Sequence, residues 1–191
     1  MAYKTLTTIV TSVDKAGAQI AAASTLAVAL DAHLDVLALG VDRTQAGYSY
    51  VGGGAVLLQV AMERAEADAK ALETAIRAAL DQQPAALRWS SETAVAQLGA
   101  MSDLIALRAR FSDLVVQPRP YGTGQGGEAE AVVEAALFEG QSPVLVLPDG
   151  HVFAGATPKR IVVAWNQSRE AMTAVRRALP FLKRAAMVNI A

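Results

Sequence analysis

The segment from Asp113 to Pro148 constrains the fold of this chain more than any other. Its residues 114–116 form a short apolar run with two valines, which is typical of a strand buried on both faces. A glycine-rich loop follows, and then a helix over about 128–138 with its apolar residues at helical spacing. A second apolar strand covers 144–147. The segment therefore predicts a β-α-β unit.

The glycine-rich loop of this unit has two interpretations. It holds Gly122, Gly124, Gly126 and Gly127, directly before the helix begins. The N-terminus of a helix carries N–H groups without helical partners and a partial positive charge, so the loop can bind an anion. Glycine also serves in flexible connections, because it adopts conformations that other residues avoid. The glycines alone leave both interpretations open.

The same alternation of strands and helices precedes this unit. Periodicity predicts strands over 5–12, 34–41 and 87–91, the last of them at an edge, and helices over about 14–32, 55–82 and 94–110. Five strands alternating with helices predict a parallel α/β sheet covered on both faces. A ligand is expected outside the carboxyl ends of the strands. Asp14, Val41 and the glycine-rich loop all follow strands on that side.

A second loop, residues 43–54, is longer than usual for such a fold and contains three consecutive glycines after two tyrosines. This loop is either a connection with no role in binding or a lid over the strand ends.

Composition excludes several classes of protein. The 191 residues carry 17 Lys and Arg against 18 Asp and Glu, a net charge of −1, which argues against a nucleic acid or an anionic membrane as partner. The chain has no cysteine, which excludes disulfides and cysteine nucleophiles and favours a cytoplasmic location. No apolar segment approaches the length that spans a bilayer.

The chain divides into a complete domain over 1–148, a linker over 149–158 and a restarted pattern over 159–191. After the linker come a strand over 160–165, a helix for which Ser168 is the expected N-cap, and a strand from 187 onward. This order repeats that of residues 7–41. The expectation is an internal repeat whose second copy is truncated.

Three motifs carry a resemblance to a known family. They are I-V-T-S-V-D (9–14), S-P-V-L-V-L-P (142–148) and V-V-A-W-N-Q-S-R-E-A (162–171). With them the chain resembles the universal stress protein family in its tandem two-domain form. The resemblance implies a five-stranded parallel sheet in the order 3-2-1-4-5. It also implies a homodimer through strand 5, whose edge residues are Val144, Leu145, Val146 and Leu147.

The resemblance also implies a nucleotide site. In ATP-binding members an Asp after strand 1 and the backbone at the end of strand 2 hold the adenosine, and a G-x2-G-x9-G-[S/T] loop after strand 4 holds the phosphates. Asp14 matches the first feature, and Val41 stands at the second. The candidate nucleotide-binding residues are Asp14, Val41, Gly122, Gly124, Gly126 and Gly127.

The phosphate loop departs from that pattern. Pro118 stands where the first glycine is expected, and Glu130, Ala131 and Val132 stand near the closing Gly-[Ser/Thr]. Proline has no N–H to donate, and Glu128 and Glu130 add negative charge. Losing two hydrogen bonds to phosphate takes roughly 3–6 kcal/mol from a micromolar site of about −8 kcal/mol. The sequence therefore predicts that this domain binds ATP weakly or not at all.

The sequence shows no residue set for catalysis or for a metal. Three functions stay open: a non-enzymatic stress-response protein that binds and signals, an adenine-nucleotide binder with slow or no ATP hydrolysis, and a domain that serves dimerisation. No cofactor is required, and Mg-ATP is the one that the resemblance allows.

Overall fold

The computed structural model describes residues 2–43, 54–122, 126–148, 150 and 158–191. Its main sheet has five parallel strands in the order β3-β2-β1-β4-β5, which confirms the predicted fold class and strand order. The strands are β1 (Thr5–Val10), β2 (His33–Asp42), β3 (Arg88–Gln97), β4 (Leu114–Pro118) and β5 (Val144–Leu147). The helices between them are α1 (Val13–Leu30), α2 (Gly54–Asp81), α3 (Met101–Ala109) and α4 (Gly127–Glu134), which continues as one π-helical turn, Ala135–Glu139.

The helices lie on both faces of this sheet and enclose two apolar cores. On one face, α1 and α2 pack against strand residues that include Leu6, Leu34 and Leu114. On the other face, α3, α4 and the π-helical turn pack against residues that include Leu39 and Val115. Strands buried on both sides account for the nearly continuous apolar runs in the sequence.

The predicted boundary between strand 3 and helix 3 is wrong. The expectation was a strand over 87–91 and a helix from about Ala94, whereas β3 continues to Gln97 and α3 begins only at Met101. Residues 92–97 pair in register with β2, from Leu37↔Glu92 to Asp42↔Gln97. Alanines at 94 and 96 favour a helix, but they alternate with Thr93 and Val95, and pairing with the long β2 decides for the strand. The edge position predicted for this strand is confirmed.

Residues 158–191 form a second, smaller β-α-β unit. Strands β6 (Arg160–Val163) and β7 (Met187–Ile190) pair in parallel, and α5 (Arg169–Leu182) connects them. The predicted N-cap is confirmed, since the Ser168 hydroxyl accepts a hydrogen bond from the N–H of Ala171 at 3.0 Å. Residues 44–53 of the predicted loop over 43–54 and most of the predicted linker over 149–158 lie outside the described residues.

This unit contacts the first domain through Tyr3. The Tyr3 ring lies 5.1 Å from the Phe181 ring, centroid to centroid, and the Tyr3 hydroxyl donates to the main-chain oxygen of Arg177 at 2.6 Å. Burial raises the pKa of Tyr3 to about 12, with a smaller contribution from the charge of Asp113. Phe181 is buried at this contact, so the first core extends into α5.

None of the described helices combines the length and the apolar character that a membrane span requires.

Strand β2 and helix α2 approach each other closely at Gly40. A Cβ atom on Gly40 would lie 2.4 Å from the main-chain oxygen of Ala65 and 2.7 Å from the Cβ of Ala69. Because neither neighbour can move without shifting α2, we expect Gly40→Ala to lower the free energy of unfolding by about 1–3 kcal/mol. Urea denaturation followed by circular dichroism measures the change.

Gly17→Ala in α1 is the matched control. A Cβ at Gly17 meets nothing within 4 Å, and alanine has the higher helix propensity, so this change should stabilise by up to about 1 kcal/mol. Equal effects of the two substitutions would show that β2 and α2 do not approach each other as closely as described.

Candidate functional site

The candidate site lies where β1 separates from β4. Strand β1 pairs with β2 along its whole length, from Thr5↔His33 to Val10↔Ala38. Its pairing with β4 covers only Leu6↔Leu114 and Thr7↔Val115. Beyond that point the two strands part toward their carboxyl ends. This is where the connections leave β1 in opposite directions, the position at which parallel α/β sheets bind ligands.

A cavity of about 490 Å³ occupies this crevice, within the usual range of small-molecule sites. It is bounded by the ends of β1, β2 and β4 and by the first turns of α1 and α4. Lining residues that bear on its chemistry are Thr11, Asp14, Lys15, Gln19, Val41, Arg43, Asp68, Gln117, Pro118, Gly126 and Glu128.

The structure brings three of the predicted site residues together. Asp14, exposed in the first turn of α1, buried Val41 near the end of β2, and Gly126 at the N-cap of α4 all line the cavity. Gly127 is the first residue of α4 but is not among the lining residues. Gly122, which has a φ of +116°, lies near the Arg119 guanidinium and is not among the lining residues. Gly124 lies outside the described residues.

The floor of the cavity is a cluster of hydrogen-bonded polar side chains. Gln19 Nε2 donates to the Thr8 hydroxyl and to the main-chain oxygen of Ile9, both at 2.8 Å. The Thr8 hydroxyl in turn donates to the main-chain oxygen of Val116 at 2.8 Å. The buried Gln117 amide lies 3.2 Å from that of Gln19. These side chains fill the gap where the main-chain pairing of β1 and β4 has ended.

An ion pair joins the two sides of the cavity mouth. Arg43, which directly follows β2, donates to Glu128 in the first turn of α4 through two nitrogens, Nε to Oε1 at 2.5 Å and Nη2 to Oε2 at 3.0 Å. Asp68 of α2 lies 3.9 Å from Arg43 Nη1. The hydrogen bond to Glu128 is the largest cause of the raised pKa of Arg43. The guanidinium is therefore held in its charged form.

The Glu128 carboxylate also stabilises the start of α4. The N-cap residue, Gly126, provides no side-chain hydrogen bond to the helix. A negative charge in the first turn interacts favourably with the partial positive charge of the helix N-terminus. Glu128 is only 15% exposed, whereas Arg43 is 57% exposed. The carboxylate thus lies on the inner side of the ion pair.

The structure refines the sequence-based argument about the phosphate loop. Pro118 is the last residue of β4 and lines the cavity, so no N–H donor is available there. Of the two acidic residues at the start of α4, only Glu128 lines the cavity, and its charge is compensated by Arg43. Glu130 is exposed and is not a lining residue.

Sequence reasoning missed Arg43, Gln19 and Gln117. Arg43 follows a strand on the same side as Asp14 and Val41, so the rule that selected those two residues also selects Arg43. Gln117 is a polar residue inside the apolar strand β4, and such residues often have a defined partner when buried. Gln19 lies on α1 without a distinguishing pattern in the sequence.

One other polar cluster has the residue types of a catalytic triad. His33 Nε2 lies 3.0 Å from the Ser90 hydroxyl and 3.2 Å from Asp35 Oδ1, and Ser90 also donates to that carboxylate oxygen. In a triad, the acid and the serine contact opposite nitrogens of the imidazole. Here both contact the same nitrogen, so the acid does not orient the ring toward the serine.

No group of three or more candidate ligand side chains in the described part of the chain is arranged to hold a metal ion.

Comparisons with known proteins found similarity among solved structures. No protein-family model matches the sequence, and no curated protein matches it. A solved structure described as "Crystal structure of universal stress protein in complex with cAMP" aligns with 78% of this chain and 98% of that chain, at 16% sequence identity and a TM-score of 0.44. A similarity of this size carries no information about ligand or function.

The polar floor of the cavity should contribute measurably to stability. Gln19→Ala removes the donor to the Ile9 carbonyl and to Thr8, so we expect the free energy of unfolding to fall by about 1–3 kcal/mol. Urea denaturation measures the change. Gln59→Ala, at an exposed position of α2, is the control and should change it by less than about 0.5 kcal/mol. A Gln19 variant as stable as the control would contradict the described hydrogen bonds.

Proposed function

We propose that this chain is a stress-response protein of the universal stress protein type, which binds a small polar ligand and signals without catalysing a reaction. The cavity at the carboxyl ends of β1, β2 and β4, with Asp14 and Val41 in its lining, is the observation that carries the proposal. Its position at the point where the strand order reverses is the expected place for a ligand in such a sheet.

In this proposal the nucleotide site of the first domain is degenerate. Pro118 lacks an N–H, and the Glu128 carboxylate lies in the first turn of α4, where a phosphate would otherwise find a partial positive charge. Asp14 and the backbone near Val41 remain available to a nucleoside moiety. Binding of an adenine nucleotide with slow hydrolysis is the alternative.

The absence of catalysis is part of the proposal, and two observations support it. The His33, Ser90 and Asp35 cluster lacks the relay geometry of a hydrolase. At the mouth of the candidate cavity, Arg43 is already hydrogen-bonded to the Glu128 carboxylate. A role in the cytoplasm fits the lack of cysteine.

Residues 159–191 are proposed to be the opening β-α-β of a second domain of the same type. The unit β6-α5-β7 has the same order and the same parallel pairing as β1-α1-β2. The apolar side chains of Met172 and Leu179 on α5 are 39% and 40% exposed. A fuller sheet beside β6 and β7 would offer such residues a surface to pack against.

We expect Mg-ATP to bind this chain no more tightly than about millimolar, because two hydrogen bonds to phosphate are missing at roughly 1.5–3 kcal/mol each. Isothermal titration calorimetry tests this directly, and release of phosphate from ATP is measured in parallel. Micromolar binding would overturn the degenerate-site proposal. Sustained phosphate release at saturating Mg-ATP would favour the alternative, a slow ATPase.

We further propose a homodimer through β5. Among the described residues β5 pairs only with β4, which leaves its outer edge open, and Val146 on it is 41% exposed. An apolar edge strand invites pairing with another copy.

Multi-angle light scattering should give the mass of a dimer for the unmodified chain. Val146→Arg places a charge on the edge and should give a monomer. Val162→Arg on β6, where the valine is 65% exposed, is the control and should remain dimeric. A monomeric unmodified chain at high concentration would rule out the dimer.

A further inference from the structure

The charges around the cavity do not favour a polyphosphate. Among the described residues, its charged lining side chains are three carboxylates, Asp14, Asp68 and Glu128, and two cations, Lys15 and Arg43. The guanidinium that would most readily meet a phosphate at the start of α4 is already bound by Glu128 through two hydrogen bonds. The carboxylate is therefore an anion supplied by the chain itself.

An incoming phosphate would have to compete with this internal anion. A phosphate at the Nε and Nη2 atoms of Arg43 would have to displace Glu128, which lies in the first turn of α4 and is mostly buried. A phosphate at Nη1 would lie beside both Glu128 and Asp68, whose carboxylate is 3.9 Å from that nitrogen. If Glu128 stayed in place, the phosphate would meet a like charge across a short distance, which is strongly unfavourable where water is partly excluded. An uncharged ligand meets neither obstacle.

We propose that Glu128 is a specificity-determining residue, which occupies the anion position at the start of α4 and makes the cavity select an uncharged nucleoside over its phosphorylated forms. The accessible apolar side chains of Val13, Pro118 and Ala129 in the lining offer a surface for a flat base, and Asp14 offers an acceptor for sugar hydroxyls. This inference rests on the proposed ligand-binding function of the same cavity.

Glu128→Gln is the decisive variant. Glutamine has nearly the same shape and still accepts a hydrogen bond from Arg43, but it removes the negative charge and frees the guanidinium for a phosphate. Glu130→Gln is the matched control, because it removes the same charge from the same helix at an exposed position that does not line the cavity. Thermal unfolding of each variant establishes that it is folded.

Adenosine, Mg-ATP and Mg-tripolyphosphate are the three probes, each titrated calorimetrically into the unmodified chain and both variants. We expect the unmodified chain to bind adenosine at least about tenfold more tightly than Mg-ATP. Glu128→Gln should strengthen the binding of Mg-ATP and Mg-tripolyphosphate by about tenfold or more and change adenosine by less than about twofold. Glu130→Gln should leave all three unchanged.

Several results would overturn the inference. Equal affinity of the unmodified chain for adenosine and Mg-ATP would do so without any variant. Equal gains in Glu128→Gln and Glu130→Gln would show an effect of net charge alone. Failure of adenosine to bind any form would instead refute the proposed ligand-binding function. The tripolyphosphate titration tests the effect of the Glu128 charge independently of the nucleoside proposal, because tripolyphosphate does not need a base-binding surface.

Discussion

The position of β1 between β2 and β4 is the constraint on which the rest of this structure depends. β1 is the central strand of the sheet and pairs on both edges, with β2 on one side and β4 on the other. The strand order reverses at this point. With β2 the pairing is complete, whereas with β4 it ends at Thr7↔Val115. The resulting crevice collects the carboxyl ends of three strands and the N-termini of α1 and α4. Thr8, Gln19 and Gln117 provide the polar contacts that main-chain pairing no longer makes there.

The second consequence of this geometry is electrostatic. The end of β2 and the start of α4 face each other across the crevice, so Arg43 reaches Glu128 although 85 positions separate them in sequence. A helix start that is open to solvent attracts anions. In this chain the carboxylate of Glu128 lies at the helix start, and Arg43 holds it in place. The proposed selection against phosphate rests on this ion pair.

Sequence reasoning predicted the architecture well because this architecture depends on simple periodicities of apolar residues. Apolar runs of strand length alternate with helical patterns, and this alone gives a parallel sheet with helices on both faces. The prediction was wrong where local preferences conflict, as in residues 92–97, whose alanines favour a helix while pairing with β2 makes them a strand. Asp14, Val41 and Gly126 could be expected in the lining of the cavity because each lies at a strand end or a helix start at that edge of the sheet. The contact of Arg43 with Glu128 could not be expected, because a contact between a strand end and a helix start depends on distances that the sequence pattern does not contain.

The most direct test of this account is a double-mutant cycle on Arg43→Gln and Glu128→Gln, measured as free energies of unfolding in urea. The account predicts a favourable coupling energy of about 1 kcal/mol, since the pair has two hydrogen bonds and one largely buried partner. It also predicts that the coupling falls when the salt concentration is raised. If the effects of the two substitutions on the free energy of unfolding add to within about 0.3 kcal/mol, Arg43 does not hold Glu128 in solution. That result would contradict the proposal that Glu128 occupies the anion position at the start of α4.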